Sequence, residues 1–329
     1  MIITQTPLRI SLLGGGTDFP EFFNEWGGAV LSLGIDKYIY VIVKERFDDL
    51  IYINYSRKEI VDSADEIEHD LVRESMRLTG VDGGVEITTL ADVPSEGSGL
   101  GSSSSVTVGL LNALHSYQGR QVPAEQLARE ACQIELDILG RPIGIQDQYI
   151  AAYGNLRYIH FNPDWNVNVE SLVLSEGQKR KLVSNLLLFF TKRTRQASLI
   201  LKEQRDNIPD KTEQLREIHD LARQAKFELE MGNYDVIGDL LNSNWKIKKG
   251  LASGINLPEF DRMYQSAREA GVIGGKISGA GGGGFLMLYC PRNWQEGVRD
   301  VLSEYKELPF MLSKYGSRVI FHMSNYGWK

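Results

Sequence analysis

A chain of 329 residues with 42% hydrophobic and 24% charged content has the length for two domains with sizeable cores and the balance of a soluble globular protein. Its net charge of −7 runs against a nucleic-acid partner, which requires a basic face, and no run of about 18 apolar residues offers a membrane span. The N-terminus shows no export signal, so the cytoplasm is the expected location; two distant cysteines, Cys132 and Cys290, and five scattered histidines exclude a disulfide framework and a zinc site, so any metal should be oxygen-bound.

Residues 8–13 read as a strand that breaks at Gly14-Gly15-Gly16-Thr17-Asp18. There the main chain can pass close to a ligand and Asp18 can meet a sugar hydroxyl, although a plain turn has the same composition. Residues 29–35 and 38–44 are apolar runs joined around Asp36-Lys37, and with 51–55 they suggest an antiparallel meander. Residues 62–78 have helical spacing, with acids early and arginines late as the helix dipole favours. The strand-like run 85–89 leads into Pro94-Ser-Glu96-Gly97-Ser98-Gly99-Leu100-Gly101-Ser102-Ser103-Ser104-Ser105, which opens into a helix over 106–115.

This loop carries the clearest chemistry. Alternate glycines let the backbone turn tightly against a ligand, and the serines leave amides and hydroxyls at a helix start, which suits a phosphate. It is neither of the familiar glycine loops: no lysine follows as in a Walker motif, and no second strand ending in an acid follows as in a dinucleotide fold. A serine-capped turn without a ligand is the plain alternative.

A helix over 124–139 carries Glu135 and stops at Gly140-Arg141-Pro142, and Asp147 begins the next segment. The break redirects the chain, so two carboxylates twelve positions apart can converge, although each is also readable as an ordinary helix acid. A strand over 156–161 precedes a soft boundary near 165–185, dividing the chain into domains 1–175 and 176–329. The strand 186–190 leads directly into Lys192-Arg193-Thr194-Arg195, whereas the second basic cluster, Lys246 to Lys249, reads as a solvated helix face. Helices are expected over 196–205, 211–231, 234–251 and 258–270, and strands over 284–289 and 318–323. The stretch 276–284 holds four successive glycines, each costing roughly 0.5–1 kcal/mol of backbone entropy relative to alanine. Close approach to a ligand or to the other domain would offset that cost.

Taken in order, the three glycine stretches resemble the signature motifs of the GHMP kinases, the small-molecule kinases that include galactokinase, homoserine kinase, mevalonate kinase and phosphomevalonate kinase. The motifs are residues 7–18, 94–105 and 276–284, and the resemblance spans nearly the whole chain. It implies an α+β fold of two domains: an N-terminal α/β domain like the second domain of ribosomal protein S5, and a C-terminal ferredoxin-like α+β domain with added helices. It also implies ATP and Mg²⁺ as cofactors. Pro94, Glu96, Gly97, Ser98, Gly99, Leu100, Gly101, Ser102, Ser103 and Ser104 would then cradle the nucleotide phosphates. Mg²⁺ would fall to Glu135 and Ser103, with Ser102 or Ser104 as alternates. Asp147 matches the general base and Arg9 the basic residue beside it. Gly14, Gly15, Gly16, Thr17 and Asp18, with Gly281 and Gly282 of the third motif, would hold the acceptor.

Gly15-Gly16 stand where galactokinases carry Glu-His, which argues against galactose. The Gly-Gly-Gly-Thr-Asp form, followed by residues 29–40, most resembles the D-glycero-D-manno-heptose 7-phosphate kinases, which phosphorylate the anomeric 1-hydroxyl; fucokinase-type domains are near neighbours. A phosphorylated acceptor would give Lys192, Arg193 and Arg195 a distal phosphate to clamp. The contrasting reading is a regulator that binds sugar and ATP without turnover, and the presence of both Glu135 and Asp147 speaks against it. The implied partner is a small-molecule sugar phosphate, with no nucleic acid and no membrane; the sequence carries no reading of oligomeric state.

Overall fold

The alternating apolar residues at the start of the chain pair into two long strands, and most of the site hangs from them. The structure is a computed structural model that describes residues 1–94, 97–194 and 197–323. In chain order its elements are β1 (Ile2–Leu13), α1 (Pro20–Trp26), β2 (Gly28–Glu45), β3 (Ile51–Asn54), β4 (Lys58–Val61), α2 (Asp70–Thr79), β5 (Val85–Ala91), α3 (Ser102–Tyr117), α4 (Ala124–Cys132), α5 (Gln146–Tyr153), β6 (Leu156–Phe161) and β7 (Val167–Ser171). They continue with α6 (Glu176–Ser184), β8 (Leu186–Phe190), α7 (Ala197–Asp206), α8 (Thr212–Glu230), α9 (Val236–Lys248), α10 (Pro258–Glu269), β9 (Gly274–Ile277), β10 (Phe285–Tyr289), α11 (Gln295–Val301) and β11 (Arg318–His322). No helix among the described residues is long and apolar enough to cross a membrane.

The first sheet has the order β11-β1-β2-β5-β3-β4, with β6 and β7 continuing from the first half of β2. The second sheet is β8-β10-β9, all antiparallel. Two domains of mixed α and β content result, as expected. Helix α3 is buried along most of its length and lies on β1 and β2, with α2, α4 and α5 around it. A second cluster, centred on Trp245, Phe260 and Phe189, packs the C-terminal domain and takes in Phe19 and Phe22 of the first.

Two strand expectations change. Asp36-Lys37 is not a turn: β2 runs unbroken through it, and the register against β1 jumps from Pro7↔Tyr38 to Leu8↔Ile35, leaving the two residues in a bulge. Proline has no N–H for the ladder, so a bulge opposite Pro7 is where such a residue fits. The freed Asp36 instead exchanges bonds with Met311, its N–H donating to the Met311 carbonyl and its Oδ1 accepting from the Met311 N–H. Nor do residues 29–55 form a meander, because β5 inserts between β2 and β3 and runs parallel to β3. The proposed division at 175/176 has to accommodate a second return: β11 pairs antiparallel with β1, so the end of the chain belongs to the first sheet.

The two domains meet backbone to backbone. Gly279 has φ +65°, and a Cβ there would lie 2.7 Å from Gly99 Cα; a Cβ on Gly284 would lie 2.4 Å from the Ser98 carbonyl oxygen. The close approach expected of the third glycine stretch is therefore an approach to the second. Both contacts oppose rigid main chain to main chain, so Gly279→Ala should destabilise the protein by about 1–3 kcal/mol. The Tm by scanning calorimetry would show it, and an unchanged Tm would mean the interface can open without cost.

Candidate active site

Gly97, Gly99 and Gly101 have φ of +66°, +71° and +74°, so every second residue of the loop is left-handed. Alternation of this kind curls the main chain so that N–H groups line a concavity suited to an anion. Gly101 supplies no side-chain cap to α3, and the first amides of the helix have no partner within it, so their partial positive charge is open to a ligand. Pro94, Gly97, Ser98, Gly99, Gly101, Ser102, Ser103 and Ser104 all line one cleft of about 1330 Å³. Leu100 does not: its side chain is fully buried, and its carbonyl accepts from the Arg9 N–H, so it anchors the loop. Glu96 lies outside the described residues.

Arg9 leaves β1 beneath this loop. Its Nε and Nη2 donate to Oδ1 and Oδ2 of Asp147, each at 2.6 Å, and its Nη1 donates to the Gly99 carbonyl at 2.6 Å. The pair places the carboxylate at the end of the phosphate loop, where a Cβ on Gly101 would come within 2.9 Å of Arg9 Cγ and 3.3 Å of Asp147 Oδ2. Asp18 is buried on the other side, accepting from the N–H groups of Gly16 (2.9 Å) and Gln146 (3.3 Å). Burial, with the nearby negative charge of Asp147 adding to it, raises its carboxyl above the usual range.

Glu135 sits where the α4 helix widens into a π-turn over Gln133–Ile138, a distortion that turns one residue out of α-helical register and recurs at functional sites. Its carboxylate is fully buried and accepts from Ser104 Oγ (2.9 Å), Thr107 Oγ1 (2.5 Å) and Gln148 Nε2 (2.8 Å). Burial raises its pKa against those bonds. Of the three serines named with Glu135 for Mg²⁺, the alternate Ser104 is the one hydrogen-bonded to it, while Ser103, exposed at the cleft, accepts from Arg141 Nη1 at 2.6 Å. Arg141 also holds Asp70 at 2.9 Å, so it bridges the phosphate loop to α2.

The acceptor expectations divide. Gly15, Gly16 and Asp18 line the cleft beyond Asp147. Gly14 and Thr17 do not line it: a Cβ on Gly14 would sit 1.9 Å from the Ala29 carbonyl, and Thr17 Oγ1 bonds Gly14 and Ala29, so both secure the turn to β2. Gly281 and Gly282 pack on Ile255 instead, and Gly279 and Ala280 take their place at the cleft. Lys192 turns to Glu304 at 3.4 Å and Arg193 to Glu259 at 2.7 Å, both more than half exposed and away from the cleft. Arg195 lies outside the described residues.

Sequence reasoning missed three cations at the cleft: Arg141, Lys248 and Lys276. Lys248, assigned to a solvated face, is 4% exposed, because α9 lies against β9 with Lys248 turned inward. Lys276 opens the third glycine stretch, whose glycines carry the resemblance. The available signal was local: Lys276 lies in an otherwise apolar β9–β10 ladder, and Lys248 falls at i+4 from Asn244 on the inner face of α9.

A helix start, a left-handed glycine loop and a carboxylate clamped at its end are the parts of a phosphoryl-transfer site, which makes this a phosphotransferase with an alcohol acceptor. Comparison with known proteins gives the family: the GHMP kinases N terminal domain matches residues 70–155 and the GHMP kinases C terminal domain residues 218–307. The D-glycero-alpha-D-manno-heptose 7-phosphate kinase of Campylobacter jejuni is 31% identical over 306 residues, covering 88% of this chain and 89% of that one. The galactokinase of Pyrococcus furiosus is 25% identical over 346 residues, covering 92% and 93%. Among solved structures, a D-glycero-D-manno-heptose 1-phosphate kinase from Bacteroides thetaiotaomicron superposes with a TM-score of 0.81 at 26% identity, covering 98% and 100%. The chain belongs to the GHMP kinase family, whose phosphate donor is ATP.

Lys248 supplies a pH signature of this geometry. Burial, with Arg9 adding to it, lowers its pKa from 10.5 to about 8, while Asp18 and Asp147 oppose the shift and Lys276 stands beside it. Between those values the unfolded chain holds a proton that the native state has released, so this group stabilises the fold as pH rises and withdraws that contribution as pH falls through about 8. The Tm of Lys248→Met minus that of the wild type, both ligand-free, should therefore decrease from pH 8 to 10.5. A flat difference would mean that Lys248 is not desolvated.

Proposed function

We propose that this kinase transfers the γ-phosphoryl of ATP to the anomeric 1-hydroxyl of D-glycero-D-manno-heptose 7-phosphate, giving the 1,7-bisphosphate. The observation that carries the reading is the position of Asp147: both carboxylate oxygens are held by Arg9 beside Gly101, and a lone pair remains on each to orient an acceptor hydroxyl. Phosphoryl transfer through a loose transition state demands little early deprotonation, so alignment of that hydroxyl with the phosphate is the main task. Arg9 fixes the base and adds positive charge where the transferring group passes. Ser11 Oγ and Gln146 Oε1, both buried at the cleft wall without a partner among the described residues and next to the bare backbone of Gly15, are available to sugar hydroxyls. The name of the Campylobacter jejuni relative, a heptose 7-phosphate kinase, supports the choice of substrate, and that of the Bacteroides thetaiotaomicron structure, a heptose 1-phosphate kinase, supports heptose as the sugar.

Mg²⁺ fits the same corner. Glu135 is a buried carboxylate bonded only to neutral donors among the described residues, an arrangement that is costly unless a cation completes it. With the serine hydroxyls at the start of α3 it provides oxygen donors of the kind Mg²⁺ takes. Bound there, the ion would neutralise phosphate charge that no Walker lysine is present to meet.

Asp147→Asn should lower kcat by about 10²-fold or more while ATP affinity stays near that of the wild type. Phosphorus NMR of heptose 7-phosphate with Mg-ATP would follow the new anomeric phosphate, and wild-type turnover in the variant would remove Asp147 from its role. Glu135→Gln should raise the Mg²⁺ concentration needed for half-maximal rate by at least about tenfold. An unchanged Mg²⁺ dependence would make Glu135 a purely structural acid.

A further inference from the structure

Lys276 is 1% exposed and Lys248 is 4% exposed, yet both line the cleft. Lys276 extends from β9, and among the described residues it makes no hydrogen bond or ion pair; Lys248 extends from the end of α9 and donates to the Gly279 carbonyl. Neither forms an ion pair with Asp18 or Asp147, whose oxygens are engaged by Gly16, Gln146 and Arg9. Two buried lysine amino groups side by side, with Arg9 close enough to act on both, form a basic corner with which no carboxylate among the described residues forms an ion pair. Burial and this mutual repulsion push the Lys276 pKa well below its ordinary value, a cost that a bound dianion would reverse.

Position within the cleft identifies the anion. The nucleotide phosphates have their own donors in the glycine loop and the start of α3. Lys248 and Lys276 come from the C-terminal domain and line the same cleft as Asp18, Gly16 and Gln204; a Cβ on Gly16 would lie 2.8 Å from Gln204 Nε2. Asp18 lies close enough to act on both lysines. We propose that Lys248 and Lys276 form the subsite for the phosphate monoester already carried by the acceptor, in place of the outward-turned Lys192 and Arg193. The proposal rests on the reading of the substrate as a sugar phosphate. It makes these lysines the specificity determinants that separate a phosphorylated from an unphosphorylated sugar.

The test compares wild type, Lys276→Met, Lys248→Met and Arg193→Ala, with folding of each checked by Tm. The two methionine variants keep the stem volume and remove the charge. Each should raise KM for heptose 7-phosphate by about 10- to 100-fold, with a smaller change in kcat, and should erase the preference for heptose 7-phosphate over unphosphorylated heptose. Arg193→Ala should leave KM as in the wild type. A fall in kcat at unchanged KM would place the lysines on the transferring phosphoryl and overturn the proposal, as would a retained preference for the phosphorylated sugar. If the wild type does not phosphorylate heptose 7-phosphate, the reading of the substrate fails, but the subsite is still decided by titrating inorganic phosphate into protein saturated with ADP, followed by phosphorus NMR. Binding to wild type that is lost in Lys276→Met supports the anion subsite; equal binding, or none to the wild type, overturns it.

Discussion

The site depends on one side chain with three directions of bonding. Arg9 holds the carboxylate of Asp147 through two parallel bonds and the Gly99 carbonyl through a third, while its own N–H donates to the Leu100 carbonyl. A strand, the glycine loop and the helix bearing Asp147 are thereby fixed to one guanidinium. Lysine carries the same charge but has no planar fork, so it could not hold both carboxylate oxygens and the loop together. The geometry also explains Gly101, because any side chain there would enter the space that Arg9 and Asp147 occupy.

Charge in the cleft runs opposite to charge on the chain. The protein carries a net −7, yet Arg9, Arg141, Lys248 and Lys276 converge on a single cavity. Keeping cations out of water is unfavourable, and the depressed pKa values of Lys248 and Lys276 express that cost in the ligand-free protein. Anionic substrates reverse it, so affinity and electrostatic preorganisation share one origin. A loop without a Walker lysine is then no deficiency: Arg9 reaches it from β1 and Arg141 from the turn after α4.

Precise placement of these groups comes from backbone contact between the domains. Gly99 against Gly279 and Ser98 against Gly284 bring the phosphate loop and the third glycine stretch closer than side chains would permit. The π-turn at Gln133–Ile138 plays a related part within one domain, turning Glu135 toward Ser104 and Thr107 rather than along the surface of α4.

The partnership of Arg9 with Asp147 was legible only through the resemblance of the ordered motifs, whereas residue order determined the glycine loop and the break at Gly140-Arg141-Pro142 that lets Glu135 and Asp147 reach one cleft, because each is a local backbone property. The helices of the second half were legible for the same reason, since their apolar spacing repeats within a few turns. Tertiary structure decided what depends on direction. Lys192 and Arg193 follow a buried strand, as a phosphate clamp might, but Glu304 and Glu259 turn them outward. Lys248 sits in the basic cluster Lys246 to Lys249, which reads as surface, but the seating of α9 on β9 buries it. Asp36-Lys37 has the composition of a turn and becomes a bulge because Pro7 lies opposite, a partner that pairing across the sheet assigns and adjacent sequence does not. Composition and spacing state which chemistry is present; which way each side chain faces is set by residues far away in the chain.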